Sequence, residues 1–376
     1  MLRHYVTKNG KTMRCGYTTG ACAAAASGAA AELLLGGTAP EAWRLDTPKG
    51  VPLELDILET DRGRGFARCA VRKDSGDDPD ITDGILVFAT VKKTDVGIFI
   101  DGGEGVGRVT KPGLDQPVGA AAINSVPRRM IAEQVAAVCE RHDYAGGLSV
   151  VISIPGGEAL AKRTFNPRLG VEGGLSVIGT TGIVEPMSSA ALVDTIRLEL
   201  NVLRKSGAHA VLLCPGNYGE TFARQTLGLT ARPVSMGNFV GDAVDMAVEA
   251  GFESILLVGH IGKLVKLGIG ARNTHSANGD GRMETLCACA ISVGAQAPLP
   301  SEILGCATTD AALALLDGAG LLKPTMAELG ARIQATLQRW APEGVCIGFV
   351  CYANRAPFDG VLAQSDNADE LMLALK

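Results

Sequence analysis

The sequence has few aromatic residues and no excess of positive charge. Phenylalanine, tryptophan and tyrosine together make up 4% of its 376 residues, and the formal net charge at pH 7 is −5. A nucleic-acid-binding protein needs a basic face and commonly stacks bases on aromatic rings. The composition therefore argues against a nucleic-acid partner.

Long apolar segments and closely paired cysteines are also missing. There is no run of about 18 apolar residues, as a transmembrane helix requires, and residues 1–16 lack the apolar stretch of a signal peptide. The ten cysteines are scattered, several of them within apolar runs, and no CxxC pair occurs. Buried free thiols in a reducing compartment explain this distribution better than disulfides do. We therefore expect a soluble, cytoplasmic protein without membrane contact.

Several catalytic motifs are absent as well. The sequence contains no GxSxG, no Ser/His/Asp spacing and no Walker A motif, so the common hydrolases and P-loop enzymes lose support. His260 and His275 are far apart in the sequence and have no cysteine close by. We therefore expect no protein-bound metal.

Glycine is the residue in excess, with 48 of 376 positions against a usual share of about 7%. Because no collagen-like period occurs, we expect these glycines in turns, tight strand–helix junctions and ligand-facing loops. Hydrophobic residues make up 47% of the chain. A chain of this length and composition is expected to form two domains.

Residues 1–170 have the pattern of an α+β domain. A threonine cap, a dense alanine run and a Gly-Gly stop predict a helix from about 19 to 35. Apolar and alternating segments predict strands in succession, and one further helix is segregated from them. The predicted strands are 43–47, 51–59, 65–73, 85–92, 96–101 and 148–155, and the second helix is 127–142.

From residue 171 to 376 the pattern changes to apolar strands that alternate with amphipathic helices. This alternation predicts a doubly wound, mainly parallel, Rossmann-like α/β sheet. The predicted strands are 210–215, 233–237, 254–259 and 345–352, and the main predicted helices are 188–207, 239–251, 281–294, 308–318 and 325–340.

The glycine-rich segment 98–107 (IFIDGGEGVG) resembles the loop by which common methyltransferases hold S-adenosylmethionine. That loop needs a helix directly behind its glycines, whereas Pro112 and Gly113 follow here and break any such helix. A glycine-rich turn between two strands is the alternative interpretation.

A second glycine segment, 179–185, has the better context for a cofactor. It follows an apolar strand and precedes a helix, so in a parallel sheet it would lie at the carboxyl end of a strand, where ligands bind. The candidate cofactor-binding residues are Gly179, Thr180, Thr181, Gly182 and Glu185. The alternative is an ordinary connection with a threonine cap. The sequence TTG also occurs at 18–20, again before a helix.

Segment 258–284 concentrates histidines, lysines and arginines among glycine-rich turns, which is typical of an anion-binding or acid–base site. We interpret His260 and His275 as candidate catalytic residues. The candidate substrate-binding residues in this segment are Lys263, Asn273 and Arg282. Further candidates are Arg128 of the pair Arg128-Arg129, Arg168 of the stretch 165–170, and Asn217 and Tyr218, which follow a predicted strand end.

Ten blocks, in order, resemble the family of cobalt-precorrin-5B C1-methyltransferases of the anaerobic cobalamin pathway. They cover most of the chain from about residue 14 to 284, and ten blocks in register are more specific than any one glycine loop. The blocks are RCGYTTGACAAAA, VRKDSGDDPDIT, GGEGVGRVTKPGL, AAINSVPRRMI, ISIPGGEALAKRTFNPRLG, IGTTGIVEPMS, CPGNYG, GNFVGDAVDMA, LLVGHIGKLVKLG and NTHSANGDGRME.

The resemblance implies methyl transfer from S-adenosylmethionine to ring carbon C1 of a cobalt-containing, ring-contracted tetrapyrrole, giving cobalt-precorrin-6A. The cobalt arrives inside the substrate. The substrate carries several carboxylates, so basic groups and helix N-termini are expected around the pocket. The sequence leaves the oligomeric state open, and a homo-oligomer is compatible with it.

Two alternatives from other classes remain at this stage. One is a small-molecule phosphotransferase whose GYTTGACAAAA loop and helix hold phosphate groups. The other is a non-catalytic tetrapyrrole carrier that uses the same basic pocket without a methyl donor.

Overall fold

The computed structural model describes residues 2–8 and 10–376. It divides into two compact units, Met1–Ser189 and Ala190–Lys376. Each unit contains both helices and strands, so the chain is a mixed α/β protein.

The first unit is mainly a set of strands with two long helices. Its strands are β1 Tyr5–Lys8, β2 Lys11–Arg14, β3 Gly16–Tyr17, β4 Ala42–Asp46, β5 Pro52–Asp56, β6 Leu58–Gly63, β7 Phe66–Arg72, β8 Leu86–Thr94, β9 Ile98–Gly102, β10 Arg108–Val109, β11 Gly147–Ser153, β12 Val171–Glu172 and β13 Ile183–Val184. Its helices are α1 Thr19–Gly36, α2 Ser125–Arg141, α3 Gly157–Ala161 and α4 Asn166–Leu169.

Five strands of this unit form one sheet in the order β6-β7-β8-β11-β9. Neighbouring strands are antiparallel except for β11 and β9, which run parallel. The alternation of apolar residues in β7 and β8 places one face of the sheet against α1. Consecutive strands with segregated helices are the α+β arrangement that the sequence predicts for this part of the chain.

Helix α1 forms the centre of the first unit. Thr18 caps it through a hydrogen bond from the Ala21 N–H, and every residue from Thr19 to Ala31 is buried. Small side chains allow this close packing, since a Cβ atom on Gly28 would lie 2.4 Å from the Trp43 ring. By length and composition alone α1 could span a membrane, but 83% of that apolar window is buried inside the protein. It is a core helix of this unit.

The second unit begins with α5 Ser189–Lys205 and alternates between helices and strands. Its strands are β14 Ala210–Cys214, β15 Val234–Ser235, β16 Ser254–His260, β17 Cys346–Ala353 and β18 Gly360–Gln364. The remaining helices are α6 Asn217–Gln225, α7 Val240–Glu249, α8 Ile261–Leu264, α9 Arg282–Ser292, α10 Leu299–Leu304, α11 Thr309–Gly318, α12 Leu322–Trp340 and α13 Ala368–Leu373, with 3-10 turns at Val265–Ile269 and Ser276–Asn278.

The strands of the second unit form a sheet in the order β15-β14-β16-β17-β18. The first four are parallel, and β18 is an antiparallel edge strand. In sequence order this is 2-1-3-4-5, not the 3-2-1-4-5-6 order of the dinucleotide-binding fold.

Helices cover both faces of this sheet. One core contains alternate strand residues such as Leu213 and Leu257 together with α7, α9 and α12. The other contains the intervening residues, such as Leu212 and Val258, together with α6 and α13. Burial on both faces explains why these strands are continuous apolar runs.

The boundary between the units falls later than the sequence predicts. Residues 171–189 belong to the first unit, because β12 pairs with β10 and β13 pairs with β3. These pairings are two residues long and join distant parts of the chain. No local sequence pattern marks strands this short. The change of pattern near residue 171 therefore does not coincide with the boundary between the units.

Candidate functional site

The order of the strands in the second unit reverses between β14 and β16. The chain turns from β14 toward β15 on one side, whereas β16 and β17 lie on the other side. At such a reversal the connections leave in opposite directions, and a crevice forms outside the carboxyl ends of the two strands. The CPGNYG and GHIGKL segments are the two connections that leave from this point.

The connection after β14 contains two glycines that differ in their surroundings. Gly216 has φ 153° and ψ −173°, a conformation that is essentially restricted to glycine. A Cβ atom at Gly216 would meet no heavy atom within 4 Å, so its lack of a side chain is not a packing requirement. At Gly219, by contrast, a Cβ atom would lie 2.9 Å from the Val258 carbonyl oxygen, so the first turn of α6 lies directly against β16.

Asn217 and Tyr218, both predicted as substrate-binding residues, occupy the first turn of α6 beside this crevice. Both side chains are exposed, and Tyr218 keeps 78% of its surface accessible. An aromatic ring so exposed at a strand edge offers a flat surface for stacking. The geometry is therefore compatible with the role that the sequence predicts.

His260 ends β16 and begins the next helix. Its Nδ1 atom accepts a hydrogen bond from the Gly262 N–H at 3.1 Å, which caps α8. Burial lowers the pKa of His260 from its ordinary value, partly opposed by Asp310 and by a hydrogen bond with Asn354. The neutral ring then carries its proton on Nε2. Through Gly262 and Asn354, His260 links the loop after β16 to the loop after β17.

His275 has the same kind of capping contact. Its Nδ1 atom accepts from the Ala277 N–H at 3.1 Å, and its own N–H donates to Asn273 Oδ1 at 2.9 Å. Both candidate catalytic histidines therefore use Nδ1 to cap a helical turn, a role that the sequence did not predict. Asn273, predicted to bind substrate, orients the turn that carries His275.

Lys263 lies one turn after His260 and is half-buried. Its Nζ atom donates to Asn238 Oδ1 at 2.8 Å and approaches the Gly237 carbonyl oxygen at 3.5 Å. Burial and the nearby Lys266 charge both lower the pKa of Lys263. Asn238 also binds Thr274 through its backbone oxygen and its side-chain oxygen. Segment 273–275 therefore folds back over the strand edge.

Arg282 has a different environment from Lys263. Its guanidinium makes two hydrogen bonds to Asp280, at 2.5 and 2.8 Å. Asp280 also lies 3.5 Å from the buried ammonium of Lys266, and the Arg282 hydrogen bond is the main reason that the pKa of Asp280 is lowered to about 2. The charge of Arg282 is thus already balanced within the protein.

The predicted cofactor segment lies in the first unit, not at the sheet edge of the second. Gly182 O accepts from the Thr18 N–H, and Ile178 O accepts from the Gly20 N–H, both at 3.0 Å. A Cβ atom on Gly179 would lie 2.2 Å from Thr18 Oγ1. The segment that the sequence places after a strand of a parallel sheet is instead packed onto the start of α1, because β13 pairs with β3.

The polar residues of segment 179–185 differ in the contacts that they make. Glu185 forms an ion pair with Lys49, and Thr181 Oγ1 donates to the Ile183 carbonyl oxygen at 2.9 Å. Thr180 is exposed. The structure therefore brings the two TTG sequences together, and backbone hydrogen bonds together with the Thr19 hydroxyl hold the loop on the start of α1.

The same contacts remove the basis for the phosphotransferase alternative. The first-turn N–H groups of Gly20 and Ala21 donate to Ile178 O and Thr18 Oγ1, respectively. A phosphate site at a helix N-terminus needs free N–H groups that face the ligand. The first turn of α1 is buried and does not offer them.

The glycine loop 102–107 is a packed turn between β9 and β10, with no helix behind it. A Cβ atom on Gly105 would lie 1.8 Å from the Ile154 carbonyl oxygen, and the Gly103 N–H donates to Ile152 O at 2.8 Å. These glycines permit backbone-to-backbone packing. The interpretation as a turn is confirmed.

The two predicted arginines of the first unit differ in their contacts. Arg128 is half-buried, and its guanidinium donates to the carbonyl oxygens of Ile100, Ala121 and Ile123. It therefore links α2 to the sheet. Arg168 is exposed on α4, with its guanidinium 5.8 Å from the centre of the Phe165 ring.

Comparison with known proteins decides the family. The CbiD family model matches residues 6–186, and the model of the CbiD C-terminal domain matches residues 273–362. A cobalt-precorrin-5B C(1)-methyltransferase of Ruminiclostridium cellulolyticum is 48% identical over 321 residues, which cover 85% of this chain and 84% of that relative. This chain belongs to the CbiD family. The resemblance that the sequence blocks indicate is confirmed.

Other CbiD relatives extend the match. A protein of the same name from Alkaliphilus metalliredigens is 40% identical over 377 residues, with 100% of this chain and 98% of the relative covered. A crystal structure of the cobalamin biosynthesis protein cbiD from Archaeoglobus fulgidus is 29% identical, covers 74% of this chain and 87% of its own, and has a TM-score of 0.41.

Sequence reasoning missed two polar residues of this CbiD chain at the same strand edge. Asn238 follows β15, and Asn354 follows β17. Each comes shortly after a parallel strand, the position at which the sequence analysis did select Asn217 and His260. The sequence places both residues after predicted strands, 233–237 and 345–352, but it does not show that Asn238 reaches Lys263.

All ten cysteines of the chain are free, and seven of them are buried. This agrees with the prediction of buried thiols. Within residues 2–8 and 10–376, no group of three or more histidine, cysteine, aspartate or glutamate side chains is placed to hold a metal ion.

Proposed function

We propose that this chain transfers the methyl group of S-adenosylmethionine to ring carbon C1 of cobalt-precorrin-5B in cobalamin biosynthesis. The observation that carries the proposal is the 40% identity, over the whole chain, to a relative named cobalt-precorrin-5B C(1)-methyltransferase. Relatives from several other bacteria bear the same name at 45–48% identity. No observation favours the phosphotransferase or the carrier.

The cofactor fits the carboxyl edge of β14 and β16 better than it fits segment 179–185. At Gly216 the chain is open and free of side-chain contacts, whereas Gly179 and Gly182 are glycine because Thr18 and Thr47 lie against them. Reversals of strand order are where open α/β sheets bind nucleotides. We therefore assign the cofactor to Gly216, Asn217 and Tyr218.

S-Adenosylmethionine supplies an activated methyl group on a positively charged sulfur. The remaining work of the protein is to align donor and acceptor and to exclude water. Asn217 and Tyr218 begin a nine-residue helix with Glu220 in its first turn, and their N–H groups would hold polar groups of the cofactor. The exposed ring of Tyr218 would offer the bound molecules a flat apolar surface.

The tetrapyrrole carboxylates require positive charge at the same edge. Lys263 meets this requirement because its contacts there are neutral oxygens of Asn238 and Gly237. Arg282 contributes less, since Asp280 already binds it at two positions. Asn273 and His275 border the site on the segment that folds back over it.

Neither histidine acts as a base in this account. A carbon of the electron-rich macrocycle is the nucleophile, and methyl transfer from sulfur to carbon requires no proton removal in that step. His260 keeps the loops after β16 and β17 in place through Gly262 and Asn354. His260 is thus a positioning residue.

The direct test combines binding and turnover. The purified protein is incubated with cobalt-precorrin-5B and S-adenosylmethionine carrying an isotope-labelled methyl group, and the product is analysed by mass spectrometry and NMR. Label on ring carbon C1 supports the proposal. A corrinoid recovered unchanged, under conditions in which a relative of the same name converts it, refutes the methyltransferase assignment.

A further inference from the structure

The contacts of Lys263 are unusual for a half-buried lysine. Among the residues that the structure describes, no carboxylate lies within the 4.0 Å of an ion pair from its ammonium group. A cation that has lost part of its hydration is normally paired with an anion. Here the nearest acceptor is the neutral amide oxygen of Asn238, at 2.8 Å.

The neighbouring lysine shows the usual arrangement. Lys266 is 3% exposed, and its ammonium lies 3.5 Å from Asp280, which also binds Arg282. The two lysines are on the same connection after β16, yet only Lys266 has an acidic partner. The charge of Lys263 is therefore available to a group from outside the chain.

Asn238 fixes the position of this charge. Its Oδ1 atom accepts from Lys263 Nζ at 2.8 Å and lies 3.3 Å from Thr274 Oγ1, while its backbone oxygen accepts from the Thr274 N–H at 2.9 Å. One amide thus joins the loop after β15, the helix after β16 and the folded-back segment. An aspartate would make the same contacts and would cancel the charge.

We propose that Asn238 is a positioning and specificity-determining residue: its neutral amide holds the Lys263 ammonium at the β14–β16 edge without a counter-charge, so that the ammonium binds a carboxylate of a ligand. This inference rests on the proposed function, under which two carboxylate-bearing ligands reach the edge. These are the tetrapyrrole, with several peripheral carboxylates, and the amino-acid part of the cofactor.

The test is Asn238→Asp, with Asn278→Asp as the matched control. Both changes replace an amide by a carboxylate, and Asn278 is exposed in the 3-10 turn of the same connection. We expect Asn238→Asp to weaken the binding of one carboxylate ligand by roughly ten- to hundredfold, with kcat largely retained. The melting temperature should not fall, because the new carboxylate pairs with Lys263.

Two titrations identify the ligand. S-Adenosylhomocysteine binding is measured by calorimetry, and the KM for cobalt-precorrin-5B is measured by turnover. A raised KM with unchanged nucleoside affinity assigns the carboxylate to the tetrapyrrole, and the reverse assigns it to the cofactor. The inference is overturned if a folded Asn238→Asp protein keeps both the wild-type affinity for S-adenosylhomocysteine and the wild-type KM for cobalt-precorrin-5B. It is also overturned if Asn278→Asp weakens binding as much as Asn238→Asp does. Wild-type protein that forms no methylated product would refute the proposed function instead.

Discussion

Gly179 lies against Thr18 so closely that a Cβ atom on the glycine would be 2.2 Å from the threonine Oγ1 atom. The φ angle of Gly179 is 140°, which a residue with a side chain rarely adopts. Gly179→Ala should therefore lower the free energy of unfolding by about 2–4 kcal/mol. Chemical denaturation measures this directly. A variant as stable as the wild type would show that the loop is free to move away from α1.

A substitution at Thr180 tests whether segment 179–185 binds the cofactor or has a structural role only. Its side chain is exposed beside Gly179, so Thr180→Ala should leave both stability and S-adenosylhomocysteine affinity close to wild type. Tyr218→Ala, at the other site, should weaken that affinity by about tenfold or more, since an aromatic contact is worth about 1–3 kcal/mol. If calorimetry instead shows a weaker affinity in Thr180→Ala and an unchanged affinity in Tyr218→Ala, the cofactor binds at segment 179–185.

Lys263 and Arg282 should respond differently to truncation. Lys263→Ala removes a charge-assisted hydrogen bond of about 1.5–3 kcal/mol, so the affinity for cobalt-precorrin-5B should fall about ten- to hundredfold. Arg282→Ala should have a smaller effect because Asp280 already neutralises that guanidinium. Lys323→Ala, an exposed lysine on α12, is the charge-matched control. If Lys263→Ala and Lys323→Ala lose the same affinity for cobalt-precorrin-5B, the loss reflects the net charge of the protein and not a contact made by Lys263.

His260 should make the protein sensitive to acid. Its pKa in the folded state is lowered below the ordinary 6.5, mainly by burial, so the unfolded chain binds the proton more tightly. Acidification from about pH 6.5 downward, through the folded-state pKa, therefore favours unfolding. His260→Asn keeps an acceptor for the α8 cap but cannot titrate. Its melting temperature should decline less steeply with falling pH, and parallel curves would contradict this explanation.

A buried ion pair in the first unit provides a prediction about stability alone. Lys73 is 3% exposed and its ammonium lies 2.5 Å from Asp80 and 2.6 Å from Ser75 Oγ. Burial alone would raise the pKa of Asp80, but Lys73 and Thr82 outweigh it and hold that pKa below its ordinary value.

Lys73→Met should therefore destabilise the protein by about 3 kcal/mol, because Asp80 loses its counter-charge. In the wild type this stabilisation is present above pH 3.8, the ordinary pKa of aspartate, and is lost as the pH falls through the lower folded-state value. Denaturation of both proteins at neutral and acidic pH measures the difference. If the wild type and Lys73→Met differ in free energy of unfolding by the same amount at acidic and at neutral pH, the ion pair is not the cause of that difference.

Local patterns were sufficient for the long elements of the fold. The Thr18 cap and the alanine run locate α1, and continuous apolar runs locate β14 and β16, which the structure buries on both faces. The short strand β13 was not predictable, because its identity depends on pairing with β3 far along the chain. The assignment of residues 171–189 to the second domain failed for this reason.

The sequence predicts which residues follow the parallel strands, but not the contacts that those residues make. Residues that follow parallel strands, such as Asn217, His260 and Lys263, do lie at one edge of the sheet. Sequence spacing could not show that His260 would cap α8 or that Asn238 would reach Lys263, since these are contacts between separate connections. Nor could sequence spacing show that Asp280, two residues away, would bind the Arg282 guanidinium.

The central claim is that the carboxyl edge of β14 and β16 binds the methyl donor. A crystal structure of the protein soaked with S-adenosylhomocysteine tests it most directly. We predict the nucleoside beside Gly216–Tyr218, where the loop after β14 begins α6. Density for the nucleoside against residues 179–185, or against the glycine loop 102–107, would contradict the account.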